Sequence, residues 1–388
     1  MTMQLVTGNH AAGHSMSLAG EANRGSRGAV CGIYPITPQT EIVEYVAKYP
    51  FSKGSVIPVE SEHSAMGVCI GGSMNGARAF TASSSNGLAY MAENVMVASF
   101  YRLPIVMAVV NRTLGPPWNI WADQGDSLMF RDFAWVQLYC DTSQDVADTT
   151  LLAFRLAEDP RILLPVMICM DGFIISHTSM EVELAEQEQV DRFLPECAIP
   201  HHIDSAHPTT MGGMTLPQET LAHRKELHEA MARVPEVFEE HRARFTREFG
   251  REIKGALTTY KVEDAETIFI TSGSISTTMK KVIDKRRERG EKVGMVRIKM
   301  FRPFPVEQIR ELCAGAKKVG VLDRNCATDR GGIFWQEICA AMQGHGHLLI
   351  QGYLTGVGGS DMVPRTVHEV VDDLIERTEA GEPVWKGM

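Results

Sequence analysis

The sequence predicts an α/β protein with parallel sheets, and three observations carry that expectation. Short apolar or β-branched runs alternate with helical stretches over residues 1–180 and again over 263–388. The longest runs, Leu103 to Val110 and Leu163 to Met170, are apolar at nearly every position, which suits strands covered on both faces. Between the two blocks, residues 181–262 lose the alternation and form a connector. There Pro195, Pro200, Pro208 and Pro217 punctuate a stretch holding His201, His202 and His207, and a charged helix follows from Gln218 to Phe249.

In the first block, Ala29 to Tyr34 is expected as a strand, Pro38 to Tyr49 as a helix and Val56 to Val59 as a strand. Glu62 to Asn75 is a helix crowded with Ala, Gly, Ser and Met, and Arg78 to Thr81 is a strand. Gly87 to Tyr101 is a helix, Leu103 to Val110 and Ala134 to Tyr139 are strands, Asp145 to Glu158 is a helix and Leu163 to Met170 a strand. In the second block, strands are expected at Thr267 to Thr271, Val293 to Lys299, Lys318 to Leu322 and His347 to Tyr353. Helices are expected at Ser276 to Arg289, Val306 to Ala314, Gly332 to Met342 and Pro364 to Thr378.

Composition narrows the function. The 388 residues are 44% hydrophobic and 22% charged, ordinary values that leave ample material for large cores. A formal charge of -10 disfavours nucleic acid as a partner, and the one basic run, Lys280 to Arg289, is interrupted by Asp284 and Glu288 and reads as a solvated helix face. No apolar run approaches the ~20 residues of a membrane span, and Met1 to Asn9 lacks the layout of a signal peptide. The eight cysteines have no two members two to four residues apart, so they read as buried thiols rather than metal or iron–sulfur ligands. A cytoplasmic protein with no metal site of its own is expected.

In an open parallel sheet, ligands bind beyond the carboxyl ends of the strands. That rule gathers Tyr34-Pro35-Ile36-Thr37-Pro38, Glu60-Ser61-Glu62-His63, Ser83-Ser84-Ser85-Asn86-Gly87, Asn111-Arg112-Thr113 and Asp171-Gly172 along one edge. Thr37-Pro38 has the form of an N-cap followed by a proline at the first helical position. A helix start at such an edge also attracts anions, although capping alone explains the pair. Arg112 offers a two-donor fork for a carboxylate, against the plainer role of a surface ion pair. Glu62 opens a small-residue helix, where it either serves the helix dipole or works as a base. Gly71 to Gly76 and Gly356-Val357-Gly358-Gly359 are too incomplete for nucleotide loops.

Tyr34-Pro35-Ile36-Thr37-Pro38-Gln39-Thr40, with Glu60-Ser61-Glu62-His63-Ser64-Ala65 beyond it, resembles the α subunit of 2-oxoacid:ferredoxin oxidoreductases, of which the pyruvate enzymes are the commonest. Leu103-Pro104-Ile105-Val106, Asn111-Arg112, Asn119-Ile120-Trp121, Arg131-Asp132, Leu164-Pro165-Val166 and Asp171-Gly172-Phe173 extend the likeness. So do Phe301-Arg302-Pro303-Phe304-Pro305, Val321-Leu322-Asp323-Arg324 and Gly356-Val357-Gly358-Gly359, and together they span nearly the whole chain.

The resemblance implies a pyrimidine-type thiamin diphosphate-binding domain over 1–180, the connector over 181–262 and a domain like the C-terminal one of transketolase over 263–388. It implies that Glu62 bonds the aminopyrimidine and so promotes loss of the thiazolium C2 proton. Thr37 and Arg112 match the residues that hold the 2-oxo acid, while Tyr34, Pro35, Ile36, Ser85 and Asn86 fall where the cofactor is contacted. The family carries its diphosphate and Mg²⁺ on a Gly-Asp-Gly motif, which this chain lacks; Gly125-Asp126-Ser127 is the nearest approach. The β subunit is therefore expected to hold the diphosphate and Mg²⁺. The [4Fe-4S] clusters then fall to partners that include γ and ferredoxin-like δ subunits. The resemblance implies coenzyme A as the cosubstrate, with ferredoxin, or NAD through a flavoprotein, as the electron acceptor.

One segment departs from the pyruvate pattern. Gly115-Pro116-Pro117-Trp118 stands where pyruvate members have small residues, which suits either an aryl 2-oxo acid such as phenylglyoxylate or a packing contact for Trp118. Two other functions are compatible with the fold: a dinucleotide-dependent dehydrogenase, opposed by the missing glycine fingerprint, and a non-catalytic assembly subunit, opposed by the presence of Thr37, Glu62 and Arg112.

Overall fold

The computed structural model describes residues 2–344 and 348–387. His347, the expected start of one strand, lies outside them; the strand itself is described as Leu349–Thr355. Among the described residues, a seven-stranded sheet runs in the order Met300–Arg302, Val136–Tyr139, Val166–Asp171, Val106–Asn111, Arg78–Ser83, Ala29–Ile33, Gly54–Pro58. Every neighbouring pair is parallel except the first. A six-stranded sheet has the order Val384–Lys386, Leu349–Thr355, Lys318–Asp323, Thr267–Thr271, Val293–Ile298, Leu257–Tyr260, with only the last strand antiparallel to its neighbour. The α/β class is as expected. That Met300–Arg302, from the second block, closes the edge of the first sheet was not.

Thr2–Val6 pairs antiparallel with Met180–Leu184, and Gly8–Glu21 is a helix; none of these was expected from the sequence. The helix is buried almost all round and built of Ala, Gly and Ser, so no polar face marks its period. The expected helix from Gly87 to Tyr101 is two helices, Ser85–Tyr90 and Ala92–Phe100. The strands expected from Leu103 and Ala134 begin later, at Val106 and Val136. Pro104 has no N–H to give to a ladder, and Ala134 sits at φ 54°. The helix face at Lys280 to Arg289 is not wholly solvated: Arg286 is buried and bonds Asp372 at 2.5 Å and His368 at 2.8 Å.

One apolar core fills the side of the first sheet covered by Gly8–Glu21, Ser143–Ala157 and Pro217–Phe249. The last of these is the connector helix; it buries a stripe from Leu227 through Val234, Phe238 and Phe245 to Phe249. A second core is shared by the two blocks, where Tyr139 meets Phe301 and Phe334 edge to face at 6.2 and 5.7 Å. Arg297 and Lys299 of the second block meet Asp141 and Asp145 of the first across the same junction. The two blocks form one packed body, which fixes the loops of the first sheet from behind. No helix among the described residues is long and apolar enough to cross a membrane.

Candidate functional site

The strands that follow Ala29–Ile33 in the chain, Gly54–Pro58 and Arg78–Ser83, lie on opposite sides of it. That reversal is where an open α/β sheet leaves a crevice at its carboxyl edge. Tyr34 to Gln39, Glu60 to Glu62, Ser84 to Gly87 and Asn111 to Thr113 all leave strands at that edge.

Glu62 begins the helix Glu62–Met74, whose N-cap Ser61 accepts a hydrogen bond from the Ser64 N–H. The residue is only 7% exposed, and its side chain has no hydrogen bond or ion pair to another described residue. Burying an ionisable group without a partner is costly, so such a group marks a place where a ligand completes the structure. Gly87 makes room for it. A Cβ there would stand 2.6 Å from Glu62 Oε1 and 2.7 Å from the buried Ser83 hydroxyl.

Arg112 leaves the strand Val106–Asn111 and turns toward the first loop. Its guanidinium donates to the Thr37 carbonyl at 2.7 Å and the Asn119 carbonyl at 2.9 Å, and it has no acidic partner among the described residues. Partial burial lowers its pKa from the ordinary value, with Asp126 opposing. An arginine that spends two donors on carbonyls keeps its full charge for an anion. The surface ion pair considered from the sequence is absent among the described residues.

Thr37 is exposed and lies beside Arg112, but it does not cap a helix as expected. The helix runs Thr40–Lys48. Ahead of it, Gln39 donates its N–H to the Ile36 carbonyl and its amide to the Tyr34 carbonyl, both at 2.9 Å, making a separate turn with a cis Thr37–Pro38 bond. The helix start is also served by its own carboxylate, Glu41, which Asn9 and His177 hold. Tyr34, Pro35 and Ile36 lead into this turn, with Pro35 exposed and Tyr34 and Ile36 half-buried.

Ser85 and Asn86 reach the same edge with their side chains already engaged. The Ser85 hydroxyl donates to the Thr113 carbonyl at 2.5 Å. Asn86 donates to the Gly115 carbonyl at 3.1 Å and accepts from the Gly115 N–H at 2.8 Å. Both side chains are tied to the backbone of the 113–117 loop. Ser85 adopts φ 50°, a strained conformation held by its surroundings.

What holds it is Asp126, the middle residue of Gly125-Asp126-Ser127. Its Oδ2 accepts the N–H groups of Ser85 (2.8 Å) and Arg112 (3.0 Å), and its Oδ1 accepts the Asn111 amide and the Ser127 N–H, both at 2.8 Å. Full burial raises its pKa to about 7, against the hydrogen bonds that lower it. No spacing rule in the sequence signals this residue; only the fold brings its four donors together.

The second block closes on the site through two motifs. Gly358 donates its N–H to Asp123 at 3.1 Å and accepts from Asn119 at 2.8 Å, and Trp121 lies so close to Gly359 that a Cβ there would stand 2.1 Å from it. Asp171 accepts the Ser274 N–H at 2.8 Å and hydroxyl at 2.5 Å. The glycine run therefore works as a clamp on the 119–123 segment. An open cleft of about 380 Å³ lies beside it, lined by Arg112, Trp118, Asn119, Ile120 and Trp121. Trp118 is 71% exposed. Among the described residues no group of three or more His, Cys, Asp or Glu side chains is placed to hold a metal ion.

Two α/β blocks, with Glu62 and Arg112 at the switch point of the first sheet and without ionic partners among the described residues, have the layout of a thiamin-type pyrimidine half followed by a transketolase C-terminal-like domain. Residues 25–243 match the family described as pyruvate flavodoxin/ferredoxin oxidoreductase, thiamine diP-binding, and residues 265–367 match pyruvate:ferredoxin oxidoreductase core domain II. The chain belongs to the 2-oxoacid:ferredoxin oxidoreductase family, as an α subunit. It is 40% identical to pyruvate synthase subunit PorA of Methanothermobacter thermautotrophicus over 393 residues, covering 100% of this chain and 99% of that one. It is 42% identical to the PorA subunit of Thermotoga maritima, covering 89% of each. Ketoisovalerate oxidoreductase subunit VorA of Pyrococcus horikoshii is 38% identical, over 98% of this chain and 95% of that one. Among solved structures, the 2-oxoglutarate:ferredoxin oxidoreductase of Magnetococcus marinus superposes with a TM-score of 0.74 at 20% identity. That match covers 96% of this chain and 65% of the solved one. A split-gene transketolase superposes at 0.57 and 11% identity, over 96% of this chain and 99% of that one. These two show the shared fold.

Proposed function

We propose that this chain is the α subunit of a cytoplasmic, coenzyme A-acylating enzyme that oxidatively decarboxylates a 2-oxo acid, with pyruvate as its first substrate. The observation that supports it most is the pairing, at one sheet edge, of the buried residue Glu62 and the Arg112 guanidinium, neither with an ionic partner among the described residues. Thiamin diphosphate, when bound, supplies the carbon nucleophile and the electron sink that decarboxylation of a 2-oxo acid needs. The residues fit it: Glu62 has a free carboxylate for the aminopyrimidine ring nitrogen, and Gly87 leaves the space beside it. Arg112 neutralises the substrate carboxylate, and Thr37 orients it from the adjoining turn.

We assign residues 1–180 to the pyrimidine-type domain, 181–262 to the connector and 263–388 to the transketolase C-terminal-like domain. The diphosphate and Mg²⁺ belong on a β subunit, and the [4Fe-4S] clusters on γ or ferredoxin-like δ subunits. Electrons leave to ferredoxin or to NAD through a flavoprotein. The complex purified with its partners should contain thiamin, iron and acid-labile sulfide, and should reduce an electron acceptor only when 2-oxo acid and coenzyme A are both present. A complex that assembles but contains none of the three components would leave this chain only an assembly role.

The exposed Trp118 supports a second substrate. Its indole packs against Gly115 at the mouth of the Arg112 cleft and turns most of its surface outward. Stacking on an aryl ring is worth roughly 0.5–1.5 kcal/mol beyond buried area. The expected result is that phenylglyoxylate is used at least as well as pyruvate by kcat/KM, and that Trp118→Ala shifts the ratio toward pyruvate. A preference for pyruvate of more than about tenfold, unaltered in Trp118→Ala, returns the segment to a packing role.

A further inference from the structure

We infer that Asp126 is a positioning residue for both halves of this site: one buried carboxylate sets the strand end that carries Arg112 and the turn that brings Gly87 against Glu62. The inference rests on the proposed function, since it reads the effect of Asp126 through binding of the 2-oxo acid. The geometry is direct. Oδ2 takes the backbone N–H groups of Arg112 and Ser85, which leave neighbouring strands, and Oδ1 takes the Asn111 amide and the Ser127 N–H. Two residues beyond Ser85 stands Gly87, whose α-carbon abuts the Glu62 carboxylate. The residues that the site needs are thus linked through an acceptor that itself faces no ligand, being fully buried.

All four N–H groups need an acceptor with no proton of its own. A proton on either oxygen places a donor against a donor and one N–H must let go, while the NH₂ of an asparagine accepts nothing and releases both N–H groups on its side. Burial holds this carboxyl at about 7, so the competition falls within the working range of pH. The groups that face it are Arg112 from the adjoining strand end, Asp123 from the preceding loop, Tyr139 from the strand Val136–Tyr139 and Cys169 from the strand Val166–Asp171. Tyr139 and Cys169 are pushed up by burial and stay neutral there, and Asp123 raises Asp126 further. The sign follows: as pH falls through about 7, Asp126 gains its proton, Arg112 loosens and KM for the 2-oxo acid rises.

The test is steady-state kinetics of the assembled complex over this pH range, with wild type, Asp126→Asn and Asn111→Ala. Oxidation of the 2-oxo acid by wild type establishes the proposed function independently of this inference. In Asp126→Asn, KM is expected to rise about tenfold or more and to lose its dependence on pH. A role in folding alone lowers the amount of active enzyme and leaves KM and its pH dependence unmoved. Asn111→Ala keeps the carboxylate but removes a donor that lowers its pKa, so the rise in KM should begin at higher pH. If Asp126→Asn does not assemble, that displacement decides the matter. A KM within about twofold of wild type in assembled Asp126→Asn, or an unmoved profile in Asn111→Ala, overturns the inference.

Discussion

Glu62→Gln is expected to leave the complex assembled and to cost ~100-fold or more in turnover, the range for a lost acid–base group. Glutamine keeps the size of the side chain, so the close approach to Gly87 is preserved and no cavity opens. On the proposed role, what disappears is the charge opposite the aminopyrimidine nitrogen. The exchange rate of the thiamin C2 proton in the complex, followed by NMR, separates this from a packing defect. Exchange should slow in parallel with turnover while bound thiamin stays stoichiometric. Unchanged exchange would falsify the assignment of Glu62 and leave it a residue of the helix start.

Asp145→Asn should produce the largest loss of stability. Asp145 is fully buried between the two blocks, with Lys299 at 2.7 Å and Arg297 at 2.6 Å from the other block. Burial alone would raise its carboxyl, but Lys299, Arg297 and Lys254 overcome that and hold it well below the ordinary range. Removing this partner strands a buried lysine and half-satisfies a buried arginine, a loss of about 3–5 kcal/mol for a broken buried pair. Denaturant unfolding at neutral pH measures it. The folded pKa is depressed, so the carboxylate's contribution is complete above the unfolded value near 4 and is lost as pH falls below it. Wild type and Asp145→Asn should therefore converge in acid. A gap that stays constant through acid, or a variant as stable as wild type at neutral pH, contradicts the charge role.

Most of the sheet was legible because continuous apolar runs have few alternatives: Thr267–Thr271 lies where its run puts it. The strand expected from Leu163 is there but begins at Val166, with Leu163 at φ 43° and Pro165 lacking an N–H. The helix Gly8–Glu21 was not, because burial on nearly every side erases the amphipathic period by which helices are read. Of the site, Glu62 and Arg112 were visible as charged residues just past apolar strands, and neither has an ionic partner among the described residues. The Thr37-Pro38 pair misled, since its cap-like form belongs to a turn closed by Gln39. Asp126 was invisible for another reason. Its donors come from residues 85, 111, 112 and 127, and no local pattern encodes a meeting of that kind. The clamp of Gly358 on Asn119 and Asp123 is equally non-local, although both segments stood out as motifs.

The most direct measurement is calorimetric titration of Mg²⁺–thiamin diphosphate into the purified single chain and, in parallel, into the complex with its partner subunits, with iron determined on both. The chain alone should bind the cofactor weakly and hold no iron, because it has a carboxylate for the pyrimidine but no Gly-Asp-Gly for the diphosphate. The complex should bind it tightly and in proportion to Glu62-bearing chains. Micromolar cofactor binding or stoichiometric iron in the chain alone contradicts a site divided between subunits.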